Sequence, residues 1–264
     1  QNRALEEEIM DREKRVYDTA LKILSIMVLV AIWIWYSNGH PKLFPTPAAT
    51  FERLIKLIEK PIMKVSILGH IGISLRRVML ALIAATVLGI SFGLAPGWIP
   101  RVKAALNPLF VALRPIPPIA WIPLIILWFG IGEFPKVLLV FIGAFFPIAQ
   151  NTMAGVEMVD SMYLQVGKIY KARTWDMLRH IVFPASMPAI MAGIKIALSS
   201  GWMVVVAAEM LASKSGLGFL IIRGQESFDI ALVLVGMVLI GIIGALLSTL
   251  FRYVERWICP WMTK

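Results

Sequence analysis

The residues able to do covalent or metal chemistry are few and scattered. His40, His70 and His180 stand far apart with no metal-ligand spacing, and Cys259 is the lone cysteine, which excludes an intrachain disulfide and a cysteine-based metal site. No G-x-x-x-x-G-K-[ST] loop offers backbone amides to a nucleotide phosphate, and neither H-E-x-x-H nor G-x-S-x-G occurs. No general acid–base constellation is visible, so a membrane-embedded enzyme is disfavoured. What remains is charge in apolar surroundings. Arg114, in "LRPIPP", falls inside a long apolar stretch beside Pro115 and Pro117. A charge at membrane depth is costly and is a functional candidate, here for attracting an anion through charge-assisted hydrogen bonds. The structural alternative is that Arg114 pairs with Glu209 or snorkels to an interface. Glu209 closes a later apolar run and is a candidate gate contact. Trp121 and Trp202 are candidate cavity-lining residues, against the commoner role of tryptophan in interfacial belts.

Composition defines the solvent. Apolar residues make up 59% of the 264, charged residues 16%, and the mean hydropathy is +0.79. Soluble domains carry about 25% charged residues, so this chain is expected to dissolve in lipid. Its formal net charge of +10 fits cytosol-facing segments and anionic lipid, and the absence of any recognition motif argues against nucleic acid.

A bilayer core takes about 20 apolar residues per helix. After a charged N-terminal segment, 1–20, the pattern predicts six spans at about 21–36, 78–94, 103–129, 136–153, 188–211 and 230–253. The third is interrupted by Pro108, Pro115, Pro117, Pro118 and Pro123. Between the first two spans, Phe51, Leu54, Ile55 and Ile58 recur at helical spacing opposite Glu52, Arg53, Lys56 and Glu59, as in a helix lying on the membrane surface. This divides the chain into 1–20, a first helix with its surface helix at 21–62, a core of five spans at 63–258, and a tail at 259–264. Basic residues are densest at the N-terminus, at Arg101 and Lys103, around 168–179 and at the C-terminus. The positive-inside bias therefore places both termini and the 165–190 segment in the cytosol. Small residues recur every fourth position, at Ala81, Ala85, Gly89, Gly93 and Gly97 and again at Ala189, Gly193, Ala197 and Gly201. Such stripes let helix backbones approach closely in lipid, and are expected to be scaffold.

The segment "QVGKIYKARTWDMLRHIVFPASMPAI", 165–190, breaks the apolar pattern. As a helix it places Ile169, Ala172, Trp175, Leu178 and Val182 along one stripe, with Lys168, Lys171 and Arg179 off it. Pro184 and Pro188 are expected to stop that helix and to set the angle of the next span. The alternatives are a short helix–turn–helix whose apolar ridge and basic flanks fit a partner's groove and an amphipathic loop resting on lipid.

This segment resembles the loop by which permease subunits of binding-protein-dependent ABC importers dock on their ATPase. Ala172, Trp175, Arg179, Val182, Pro184 and Pro188 fall in register with that pattern. Its first half departs: Gln165, Val166 and Gly167 stand where E-A-A is expected, and Lys171 stands where a glycine is expected. "RPIPPIAWIPL", "LWFGIGE" and "AAEML…GLG" are similar to the taurine, alkanesulfonate and nitrate/bicarbonate branch. The resemblance implies an all-α integral membrane protein of the type I ABC importer permease fold, with about six spans and a coupling helix within 157–184. It implies a bacterial inner-membrane location and three partners: a second copy of the permease, a cytosolic ATPase dimer that binds ATP and Mg, and an extracytoplasmic substrate-binding protein. No cofactor is expected in this chain. It assigns ATPase coupling to Gln165, Gly167, Lys168, Lys171, Ala172, Arg173, Trp175, Arg179, Pro184 and Pro188. The competing class is a self-sufficient secondary carrier or channel for a small anion.

Overall fold

The computed structural model describes residues 2–40 and 44–263, so part of the loop after the first span, Pro41–Leu43, and the terminal Gln1 and Lys264 lie outside the described residues. Among the described residues all regular structure is helical. The helices are α1 (Asn2–Gly39), α2 (Pro47–Glu59), α3 (Ile67–Trp98), α4 (Pro100–Leu113), α5 (Ile122–Phe129), α6 (Glu133–Glu157), α7 (Ser161–Ile169), α8 (Thr174–Met177), α9 (Phe183–Ala212), α10 (Leu217–Glu226) and α11 (Ile230–Ile258). Among the described residues five are long and apolar enough to cross a bilayer, and there are six if the bent pair of α4 and α5 is counted as one span. The bend between them is 85° and falls on the proline cluster, where missing N–H groups and ring sterics prevent the ladder from continuing.

The core is a three-helix slab in which α6 lies between α3 and α9. Both neighbours approach it through the small-residue stripes. A Cβ on Gly93 would stand 2.5 Å from the Ala149 carbonyl oxygen, and one on Gly97 2.8 Å from Val156 Cβ. A Cβ on Gly89 would meet Ile148 Cγ2 at 3.0 Å, and across the other face one on Gly193 would meet Asn151 Cβ at 2.8 Å. Gly201 is looser, with Val140 Cγ1 at 3.3 Å. Close backbone approach replaces the hydrophobic drive that lipid cannot supply.

The two ends of the slab differ. At one end α3 and α6 begin and α9 leads into α10; at the other α6 passes through α7 and α8 into α9. Lys103 Nζ bonds Glu157 Oε1 at 2.8 Å near the α7 end. At the α10 end the surface helix α2 is capped by the Thr46 hydroxyl accepting from Ala49 N and has Pro47 in its first turn. Its inward residues are Thr50 and Leu57, and Arg53 Nε bonds Asp229 Oδ2 at 2.6 Å. Phe51, Ile55 and Ile58 point outward, so the apolar stripe splits between a face against the protein and a face open to the bilayer surface.

Two expectations need correction. The stripe from Ile169 to Val182 does not lie on one helix; the segment is a helix–turn–helix of α7 and α8. The chain leaves α7 through a turn at 170–173, because Lys171 adopts φ +52° and closes the helix end: Ala172 N donates to Gly167 O and Lys171 N to Lys168 O, both at 3.0 Å. Nor do Pro184 and Pro188 stop a helix. From Thr174 the chain runs helically through a π-turn at Leu178–Val182 into α9, with both prolines inside its first turns. Pro184 brings no N–H, and the ladder widens to a bond from Phe183 N to Leu178 O.

The close approach makes a paired prediction. Gly93→Ala is expected to destabilise the protein by about 1–3 kcal/mol through overpacking. Gly72→Ala in the same helix, where a Cβ meets nothing within 4 Å, is expected to be neutral or to stabilise by up to about 1 kcal/mol. Thermal midpoints of the two purified variants check this.

Candidate functional site

At the α10 end a buried polar knot ties three helices to the α9–α10 linker. Arg77 on α3 is 1% exposed and Glu209 on α9 is likewise 1% exposed. Arg77 Nη1 donates to Glu209 Oε1 at 2.7 Å and to the Ser215 carbonyl at 3.0 Å, and its Nε donates to Glu133 Oε2 at 2.8 Å. The Ser74 hydroxyl donates to the Glu209 carboxylate at 2.8 Å and accepts from Leu217 N at 3.0 Å, and Gly218 N donates to Glu209 Oε2 at 3.0 Å. Lys136 Nζ adds a bond to Glu133 at 3.2 Å. His70 Nδ1 accepts from Gly216 N at 3.1 Å, which leaves the proton on Nε2. Gly216 has φ +110° and packs directly on the Glu209 carboxylate, where any Cβ would collide. With two charges removed from solvent, this number of donors is what makes the pair tolerable.

Arg114 therefore does not pair with Glu209. It lies at the C-terminal end of α4, exposed within the chain, and lines a cavity of about 510 Å³ with Pro118, Phe146, Gln150, Asn151 and Ser200 among its walls. Ser200 Oγ donates to Gly143 O at 3.0 Å and Asn151 Nδ2 to Pro147 O at 2.8 Å, so the wall's polar groups are set by α6 and α9. Pro115 and Pro117 form the break beside it. Trp121 packs partly buried against the core, and its Nε1 has no partner among the described residues. Trp202 is buried between α9 and α11, donating from Nε1 to Ile240 O at 3.2 Å, and lines a separate cavity of about 200 Å³ with Lys195. Trp202 and Glu209 thus stand apart from Arg114. Lys195 Nζ lies 3.7 Å from Glu255 Oε2.

The 157–184 region forms an exposed ridge at the α7 end. Ile169, Tyr170 and Trp175 are all more than 60% exposed, beside exposed Gln165, Lys168, Lys171, Arg173 and Arg179. Gly167 is buried, and a Cβ there would stand 2.9 Å from Ile181 Cδ1, so α7 folds tightly onto the π-turn. Ala172 is half-buried in the turn, Pro184 is exposed and Pro188 half-buried. An uncovered apolar ridge of this kind marks an interaction surface.

Sequence reasoning missed Arg77, Ser74 and His70 as parts of one site. The readable signal was depth: Arg77 stands ten residues after the start of α3 and Glu209 three before the end of α9, so the topology places both at the same end.

Removing Arg77 strands the Glu209 charge, so Arg77→Met is expected to cost about 3–5 kcal/mol, whereas Arg77→Met with Glu209→Met is expected to cost less than the single variant. Denaturation midpoints of the two variants measure the difference. At the turn, Lys171→Gly is expected to stabilise by about 1 kcal/mol by relieving left-handed backbone strain, read as a raised thermal midpoint.

The comparisons with known proteins agree with this architecture. A family model described as "binding-protein-dependent transport system inner membrane component" matches residues 85–264. The taurine transport system permease protein TauC of Escherichia coli (strain K12) is 35% identical over 91% of this chain and 89% of its own. The nitrate import permease protein NrtB of Synechocystis sp. is 32% identical over 90% of this chain and 88% of its own. The putative aliphatic sulfonates transport permease protein SsuC of Bacillus subtilis (strain 168) is 30% identical over 89% and 84%. Among solved structures, the MetNI methionine ABC transporter in an inward-facing conformation superposes with a TM-score of 0.62 at 17% identity, covering 70% of this chain and 93% of that one. The chain belongs to the family of inner-membrane components of binding-protein-dependent transport systems: it is an ABC importer permease.

Proposed function

We propose that this chain works as a homodimer in a bacterial plasma membrane, with both termini cytosolic, and forms the translocation pathway of an ATP-driven importer for a small anion. A cytosolic ATPase dimer holding ATP and Mg grips the α7–α8 ridge, and an extracytoplasmic substrate-binding protein delivers solute at the α10 end. The observation that carries this reading is the uncovered ridge of Ile169, Tyr170 and Trp175 with its basic flank, of which Trp175 stands on the helical rod that runs from Thr174 through the π-turn into α9. A partner that displaces the ridge displaces α9, and α9 carries Ser200 in the wall of the Arg114 cavity. The close contact of α9 with α6 through Gly193 passes the motion into the slab, while the Arg77–Glu209 knot holds the far end of α9 to α3. Sulfonates and nitrate, named for the relatives, are anions that Arg114 suits electrostatically.

Co-expression with the ABC ATPase and pull-down through the permease tests this. The wild type is expected to retain the ATPase through detergent extraction, and Trp175→Ala is expected to reduce its recovery about tenfold or more, as for loss of an aromatic anchor. Solute uptake that continues in vesicles holding the permease alone, without ATP, would overturn the reading.

A further inference from the structure

The break between α4 and α5 leaves non-helical backbone part-way along the spans. In a bilayer such backbone persists only where protein or a water-filled cavity receives it, and here Arg114, Ile116 and Pro118 of the break face the cavity of about 510 Å³. Arg114 is the one charged residue in that wall. Among the described residues no carboxylate pairs with it, Glu209 and Glu133 being held by Arg77. The Gln150 amide in the same wall also has no partner among the described residues. The C-terminal carbonyls of α4 carry about half a negative charge, which the full charge of Arg114 outweighs. A guanidinium and an amide in one cavity wall, neither with a partner among the described residues, suit an oxyanion.

Size then separates the candidates. Cavities of about 300–1,000 Å³ hold drug-sized organic ligands, whereas nitrate has four atoms and bicarbonate little more. Apart from Arg114, Gln150, Asn151 and Ser200 the wall is apolar, with Phe146 and Met203 prominent. We infer that this cavity is a subsite for an organic monoanion: a sulfonate or carboxylate head on Arg114 and Gln150, and an aliphatic or aromatic body against Phe146 and Met203. The inference rests on the transport reading above for its role, and it selects organic over inorganic anions within that reading.

Binding to the permease alone tests it, since no ATPase is needed. Purified protein in nanodiscs is titrated calorimetrically with methane-, butane- and hexanesulfonate, hexanoate and nitrate, with empty nanodiscs correcting for partition. Affinity is expected to rise about fourfold per added methylene, with hexanesulfonate or hexanoate binding far above nitrate. Arg114→Gln is expected to weaken the best binder by about ten- to a hundredfold and Arg114→Lys by less. A flat series, or nitrate binding as tightly as the six-carbon anions, overturns the inference on wild-type protein, whatever the variants do. Such a failure leaves ATPase recovery in the pull-down intact, whereas failure of the transport reading shows as loss of that recovery.

Discussion

Lipid gives helices no hydrophobic reason to associate, so this structure rests on how near three backbones can come. Along α3 and α9 small residues recur every fourth position against α6, and the gap closes until a single added carbon on Gly93 would strike a carbonyl oxygen. Everything with functional potential hangs on that slab. The polar knot spans the start of α3 and the end of α9, the exposed ridge at the α7 end precedes the beginning of α9, and the Arg114 cavity is walled by α6 and α9. A slab so closely spaced transmits displacement, because a packed interface has discrete arrangements and resists gradual deformation.

Two arginines in this membrane domain meet opposite fates. Arg77 is enclosed and neutralised by Glu209 and Glu133 and hydrogen-bonded to a linker carbonyl, so its charge is spent on fixing geometry. Arg114 stands in a cavity wall with no carboxylate paired to it among the described residues. The difference follows from backbone context. Arg77 sits in an unbroken helix whose neighbours present carboxylates, whereas Arg114 sits where prolines end a helix and no acidic residue shares the cavity wall.

The parts legible in the sequence were those set by local pattern. Hydropathy gave the spans, fourfold spacing of small residues gave the stripes, and the proline run from Pro115 to Pro118 marked the broken span. The resemblance located the ridge. What local pattern could not reach was pairing across distance: Arg77 and Glu209 are 132 residues apart, and Arg53 and Asp229 are 176. A helix–turn–helix was legible in this segment, but the place of its turn at 170–173 was not. Lysine is a poor marker for left-handed backbone, and only the expected glycine at position 171 hinted that the chain reverses there. The prolines misled because a π-turn admits them into a continuing helix.

The π-turn has a consequence for azimuth. Trp175 and Ser200 lie 25 positions apart on one nearly continuous rod running from Thr174 to Leu211. At about 100° per residue an unbroken α-helix would bring them to within roughly 20° of the same side. One extra residue in a turn offsets the two faces by about a further 100°. The wide turn thus works as a fixed angular offset on a shaft: the side that carries Trp175 and the side that carries Ser200 point in different directions. Their relative phase is held by the five residues of the turn, Leu178–Val182.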